Sequence, residues 1–344
     1  MIQFQCDYNE GAHPLIMENL LKTNMEQTEG YGLDPYCEQA REAIRNACKA
    51  PDADVHFLVG GTQANATVIN SILRPYQGVV CADNGHINVH ETGAIEHGGH
   101  KCLAHPSKDG KINAEQLDNF LAEHFTSPEA EHMVQPGMVY ISFPTECGTL
   151  YTHDELAAIS KVCKGYDIPL FVDGARLGYG IIASKGDVTL ESLTLLADVF
   201  YIGGTKVGAL FGEAIVITNA KLKKDFRYNI KQNGGMLAKG RLLGIQFLTL
   251  FTDNLYFRIA EHAICEAMRI KSAFLEAGIE MFVDSPSNQQ FPILTQSQIA
   301  TLAKDFLFES WGKVDADREV IRFCTSWATK PENTDTLIEA IKRL

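Results

Sequence analysis

The sequence predicts an α/β fold with a mainly parallel sheet, followed by a smaller α+β unit. Three observations lead there. Short β-rich runs alternate with helical stretches through the first two thirds of the chain. Parallel strands need crossover connections, and the intervening helical stretches supply them. After about residue 245 the alternation gives way to one long helical stretch and a few short strands. The division is a large α/β domain with the N-terminal segment over residues 1–245, and a small α+β domain over 246–344.

The elements follow in order. VHFLV is an apolar strand that runs into Gly60, Gly61 and Thr62. TQANATVINSILRPY then reads as a helix, with Val68, Ile69 and Ile72 on its apolar face. GVVCA, MVYISF, PLFVD, DVFYI and EAIVI supply the next strands. NAEQLDNFLAEHF, HDELAAISKVCKGY and TLESLTLLA are the helical candidates between them. In the last third, a helix over LGIQFLTLFTDNLYFRIAEHAICEAMRIKSAFLEAG leads into strand candidates MFVD, FPILT and VIRFCTSW.

Composition narrows the function classes. Hydrophobic residues make up 45% of 344 and charged residues 21%, which supports a sizeable packed core. The net charge of −13 argues against a general nucleic-acid binder and against an anionic membrane surface. Nine cysteines without a CxxC pair fit reduced thiols, so a cytoplasmic location is expected. The start MIQFQCDYNEG lacks a basic and apolar leader, and no apolar run approaches the ~20 residues that span a bilayer.

Four places could carry chemistry. The strand–GlyGlyThr–helix passage offers free N–H groups to an anion, although a plain capped turn reads equally well. Asp173 ends the apolar strand PLFVD, where open α/β sheets place ligands, with Arg176 three residues on. Asp198 has a similar setting and could simply cap, and Arg176 could be a surface ion pair. His86 and His90 are four apart, a metal-site spacing, but the HExxH order is missing. Lys206 stands in YIGGTKVGAL, a run otherwise apolar, small or Gly, where a charged amine is costly unless paired, neutralised or chemically consumed. A loop lysine reaching water is the plain alternative.

One cofactor would use all four. Pyridoxal phosphate needs a lysine for its aldehyde, an acid for its pyridine nitrogen, an anion cradle and a flat group over its ring. Lys206, tolerated as an imine, answers the first demand.

Here the chain resembles a known family, the low-specificity L-threonine aldolases among the β-eliminating lyases of fold-type I. The resemblance rests on YGLDP, GGTQAN, DNGHINVHETGA, PTECGTLY, FVDGAR, GGTKVGALFGEAIV and IRFCTSWAT. It implies a seven-stranded sheet, a pyridoxal 5'-phosphate cofactor and retro-aldol cleavage of threonine to glycine and acetaldehyde. It further implies that Lys206 holds the cofactor, Asp173 meets its ring nitrogen, Ala175 packs beneath it and His86 stacks above it. Gly61 and Thr62 would hold the phosphate, helped by Lys239 and Arg241. Arg176 and Arg322 would bind the substrate carboxylate. Tyr31 would reach the partner's site in a homodimer or homotetramer with shared active sites.

Two departures stand out. Cys6, at a position the resemblance assigns to the substrate carboxylate, precedes Asp7 where the family often has Ser, and Thr145–Glu146 stand where many members carry a histidine. The base for the β-hydroxyl is therefore expected on His86, or on a water it holds. Within the fold, a β-eliminating lyase, a racemase or an aminotransferase is the alternative. A zinc hydrolase built on the histidine-rich segment 86–100 is the distant one. The partner expected in every aldolase reading is a small amino acid, with no nucleic acid and no membrane.

Overall fold

The protein is described by a computed structural model covering residues 1–344. A two-residue strand, β1 (Ile2–Gln3), opens the chain. The central sheet then takes β2 (Asp54–Leu58), β3 (Gln77–Ala82), β4 (Lys101–His105), β5 (Gln135–Ser142), β6 (Leu170–Asp173), β7 (Val199–Gly203) and β8 (Glu213–Ile217). Its order is β2-β8-β7-β6-β5-β3-β4. Pairings from β7 through β6, β5 and β3 to β4 are parallel, while β8 runs antiparallel to both neighbours.

Six of the seven strands match the apolar runs of the sequence. The seventh, β4, carries KCLAH at the sheet edge, where only Cys102 is buried. An edge strand with one solvated face gives no apolar run to read.

Alternate strand residues feed two cores. Val79, Tyr140, Phe171, Val199 and Tyr201 face the helix over Gly61–Ile72 through its Val68 and Ile69. Val80, Val139, Val172, Phe200 and Val216 face the opposite layer, which contains the helices over Pro35–Ala47, His153–Gly165 and Arg241–Phe251. The period of two in side-chain direction fixes which strand residues meet which layer.

The long helical stretch of the last third is two helices, Arg241–Phe251 and Leu255–Glu276. Asp253 and Asn254 between them sit at φ of +51° and +55°. Asp and Asn tolerate the left-handed region because their short polar side chains bond locally, so the break falls there. The second helix spans two cores: Leu255–Ile264 packs with the large sheet, and Ile270–Phe274 with the C-terminal unit.

That unit holds β9 (Gln289–Gln290), β10 (Ile293–Thr295), β11 (Phe306–Leu307), β12 (Glu309–Lys313) and β13 (Arg318–Cys324). β13 pairs antiparallel with β10, β12 and β9. The MFVD stretch forms only an isolated bridge from Met281 to Pro292. β1 pairs with β11, and Phe4 packs among Phe274, Phe306 and Phe323. The N-terminal residues thus start in the small unit and cross to the sheet, which brings residues 6–8 over the ends of β6 and β7.

Candidate active site

β6 and β7 are parallel neighbours, so Asp173 and the loop bearing Lys206 leave the sheet at the same edge. Two glycines let them meet. A Cβ on Gly174 would lie 1.8 Å from the Tyr201 carbonyl oxygen, and one on Gly203 2.2 Å from the Ala175 oxygen. Gly203 N–H donates to Gly174 O at 2.9 Å, locking the two strand ends together. The glycines of FVDGAR and IGGTK are there for this close approach.

Asp173 is buried and accepts four hydrogen bonds. They come from the Tyr201 hydroxyl (2.5 Å), the Tyr140 hydroxyl (2.6 Å), the Ala175 N–H (2.9 Å) and Asn65 Nδ2 (3.0 Å). Burial pushes its pKa up, but the field of His86 and the two tyrosine hydroxyls outweigh burial and hold it below the usual value. Four donors on a carboxylate favour the charged form. Asp198, similar in sequence, instead accepts from Leu170 N–H at 2.8 Å and Asn219 Nδ2 at 2.8 Å, a purely structural tie.

Lys206 lies beside the same cavity, its Nζ 5.9 Å from the centre of the Tyr8 ring. Burial, then the nearby Arg176 charge, lowers its pKa. Glu213 lines the cavity too, bonded by the Thr205 hydroxyl (2.8 Å) and Gly204 N–H (3.2 Å), and burial raises it to about 8.

His86 begins a one-turn helix, His86–Val89, and its Nδ1 is 2.8 Å from Glu91 Oε1. Asn65 Nδ2 donates to that same oxygen at 2.7 Å, joining Glu91 to Asp173. A buried carboxylate on Nδ1 orients the imidazole and leaves Nε2 free. The His86 and His90 rings lie 5.6 Å apart, but no three His, Cys, Asp or Glu side chains converge as a metal site would need. The zinc reading loses its third ligand.

Gly60 enters the helix over Gly61–Ile72 with no side-chain cap, so the first-turn amides point at the cavity that Gly61 and Thr62 line. Lys239 and Arg241 are elsewhere in the chain's own fold. Arg241 donates to the carbonyls of Asn24 and Glu26 at 2.9 Å each, and Gly240 packs on Gly32. The expectation that they join Gly61 and Thr62 fails within one chain, because Gly240 is anchored on the Tyr31–Gly32 turn. Tyr31 is in that turn, half-exposed and away from the cavity.

The arginines are already engaged. Arg176 Nε and Nη2 donate to Asp7 at 2.7 and 3.0 Å. Arg322 donates to Glu309 across the β12–β13 pair and to Gln289 at 3.2 Å, with the Trp311 ring 5.1 Å away. Asp7 takes the Nε–H and one Nη2–H of Arg176, so only its Nη1–Nη2 edge is left to face a substrate. Cys6 Sγ donates to Asn9 Oδ1 at 3.0 Å and lines neither chamber of the site.

These groups surround two adjoining chambers of about 290 and 250 Å³. The inner one holds Asp173, Ala175, Gly61 and Thr62; the outer one holds Arg322, Glu309 and Trp311. Sequence reasoning missed Asp7, Asn65, Glu91, Tyr140, Glu146 and Tyr201. Glu91 lies within the HINVHE motif, and Tyr140 and Tyr201 neighbour Asp173 once β5, β6 and β7 are put in register.

The profile of the beta-eliminating lyase family matches residues 7–291. The chain belongs to the beta-eliminating lyase family. Among members of similar length, this lyase is 31% identical to the low specificity L-threonine aldolase of Pseudomonas sp. (strain NCIMB 10558), over 99% of this chain and 97% of that protein. The solved threonine aldolase of Leishmania major is 43% identical, with a TM-score of 0.96 over 100% of this chain and 99% of that one. The histidinol-phosphate aminotransferase of Clostridium acetobutylicum shares the lyase's fold at 13% identity, with a TM-score of 0.75 over 100% and 98%. One fold therefore hosts different reactions, and residues of the site must distinguish them.

Proposed function

We propose that this chain is a pyridoxal-phosphate-dependent lyase that cleaves L-threonine and L-allo-threonine between Cα and Cβ, giving glycine and acetaldehyde. The carrying observation is Lys206 and Asp173 lining one cavity with an uncapped glycine-led helix start. The residues fit the cofactor. A lysine with a lowered pKa suits an aldehyde, an ionised buried carboxylate suits a ring nitrogen, and free amides suit a phosphate. Gly60 leaves open space where any other residue would carry a Cβ.

When bound, the cofactor supplies an electron sink for the Cα bond that breaks. The chain does the rest. Gly61 and Thr62 hold the phosphate, Ala175 supports one ring face and His86 covers the other. Arg322, with the Nη1–Nη2 edge that Arg176 keeps free, orients the substrate carboxylate, which sets the bond that breaks. Two groups remain to take the β-hydroxyl proton: His86 at Nε2 and Glu146 at Oε2.

A second copy of the chain completes the reading. Leu21, Met25, Tyr31 and Leu33 form an exposed apolar run near Lys239 and Arg241, which would serve the partner's phosphate cradle. Nine unpaired cysteines support a reducing, cytoplasmic setting, and no helix is long and apolar enough to cross a membrane.

Acetaldehyde measured from L-threonine and from L-allo-threonine tests the reaction. Pyruvate and ammonia from serine or cysteine, without aldehyde from threonine, would replace it with elimination.

A further inference from the structure

We infer that Glu146 takes the proton of the substrate's β-hydroxyl. The inference rests on the retro-aldol reading of the site and names the group that reading leaves open.

Position comes first. The inner and outer chambers share Tyr8, His86, Glu146, Arg176 and Lys206. An amino acid with its nitrogen toward Lys206 and its carboxylate toward Arg322 straddles both chambers, so a group acting at Cβ must line both. Glu146 is the one carboxyl that does.

Orientation comes second. Glu146 Oε1 accepts from the Ser142 hydroxyl at 2.6 Å and from the His86 N–H at 3.0 Å, so the carboxyl is fixed. Oε2 has no hydrogen-bond partner and is not sealed off from the surface, so it opens on the cavity. A pinned carboxyl with one open oxygen is the arrangement a general base needs.

Chemistry comes third. Lys206 and Arg176 are cations or are otherwise engaged, and burial raises the Tyr8 phenol, which keeps it a donor. Burial, together with the charge of Asp173, raises the Glu146 pKa and makes it a better proton acceptor than a free carboxylate. In the step, the O–H bond breaks and its proton goes to Glu146 Oε2. The Cα–Cβ bond breaks, the electron pair left on oxygen closes the C=O bond of acetaldehyde, and the Cα–Cβ pair stays with the amino-acid fragment. A proton at Cα completes glycine. Nothing is oxidised or reduced.

The test is Glu146→Gln, which keeps an Oε1 acceptor for Ser142 and His86. Holoenzyme is assayed for threonine cleavage, for exchange of the glycine Cα hydrogen in D2O, and for cofactor affinity and absorbance. Cleavage should fall about 10²–10⁴-fold in kcat. Cofactor affinity and glycine exchange, which involve no β-oxygen, should stay near wild type, and so should KM, since the amide can still hydrogen-bond the hydroxyl. Cleavage and exchange falling together would overturn the proposal, as would unchanged cleavage. A His86→Phe enzyme that exchanges glycine but no longer cleaves threonine would overturn it in favour of the imidazole. If wild type fails to exchange glycine at all, the cofactor reading fails instead. Should E146Q not fold, Glu146→Asp is the second variant: its kcat should drop and the acid limb of its pH profile should move, which a merely structural carboxyl would not cause.

Discussion

Arg176 and Asp7 form a two-pronged ion pair, Nε to Oδ2 at 2.7 Å and Nη2 to Oδ1 at 3.0 Å, with the Asp7 carboxylate fully buried. The pair ties the N-terminal segment to the loop after β6, and Asn288 Nδ2 extends it to the small unit at 2.9 Å. Removing one partner leaves the other charge buried, a loss of about 3–5 kcal/mol. Asp7→Asn should lower stability by that order in urea unfolding. The sign with pH follows from the depressed Asp7 pKa: burial raises it, but Arg176 and then Lys206 more than compensate. Its stabilisation is full above the ordinary carboxylate value of 3.8 and is lost as pH falls through the lower folded value. The variant should lack that component of acid unfolding.

Lys206→Ala removes the only amine on the inner chamber wall. Turnover and the bound cofactor's long-wavelength absorbance should both vanish; retention of both would end its assigned role. Because the neutral amine is the nucleophile, the rate at which apoenzyme takes up cofactor should rise with pH. The lowered pKa centres that rise below 10.5, the ordinary lysine value. A rise centred above 10.5 would contradict the burial of the amine.

Most of the sheet was legible because its strands are buried on both faces and read as apolar runs. β4 was not, since an edge strand needs no such run, and the split at Asp253–Asn254 turns on two backbone angles that apolar periodicity does not encode. In the site, Lys206, Asp173, His86, Gly61 and Thr62 were legible because they sit at strand ends or glycine turns. Asn65 was missed because it sits mid-helix, and its partners, Glu91 and Asp173, come from distant segments. Asp7's hold on Arg176 was illegible for the same reason: 169 residues separate the two. Only tertiary folding reveals which carboxylate has already claimed an arginine.

Glu309 occupies Arg322 from the neighbouring strand and is partly exposed, with 42% of its side chain accessible. A substrate carboxylate bound by Arg322, as proposed, would compete with it. With Arg322 buried but Glu309 partly exposed, the pair is worth on the order of 1 kcal/mol, so Glu309→Gln should lower KM for threonine by about fivefold with kcat unchanged. Arg322→Ala should raise KM by about 10–100-fold, the worth of a charge-assisted hydrogen bond. An unchanged KM in the alanine variant would remove Arg322 from the substrate site.

Tyr201 donates to Asp173 Oδ1 at 2.5 Å, and its hydroxyl also lies 3.2 Å from where a Cβ on Gly61 would stand. It therefore links Asp173, the proposed partner of the ring nitrogen, to Gly61 of the proposed phosphate cradle. Tyr201→Phe removes a bond to a charged acceptor, worth about 1.5–3 kcal/mol, and weakens the hold on the ionised form of Asp173. Cofactor affinity should fall about tenfold or more, measured by fluorescence titration of apoenzyme, while the fold is retained. Equal affinity would mean that the remaining three donors suffice.

Cys6 tests whether the departure from serine matters. Its thiol donates to Asn9 Oδ1 at 3.0 Å, three residues along the chain, and lines neither chamber. A serine hydroxyl there could make the same local bond, since it is the stronger donor and the shorter side chain. Nothing in that exchange reaches Arg322 or the free edge of Arg176. Cys6→Ser should therefore leave kcat and KM for threonine within about twofold, less than the effect of one net hydrogen bond. A tenfold drop in KM would mean that the hydroxyl leaves Asn9 for the substrate carboxylate, and that the N-terminal segment moves inward when substrate binds.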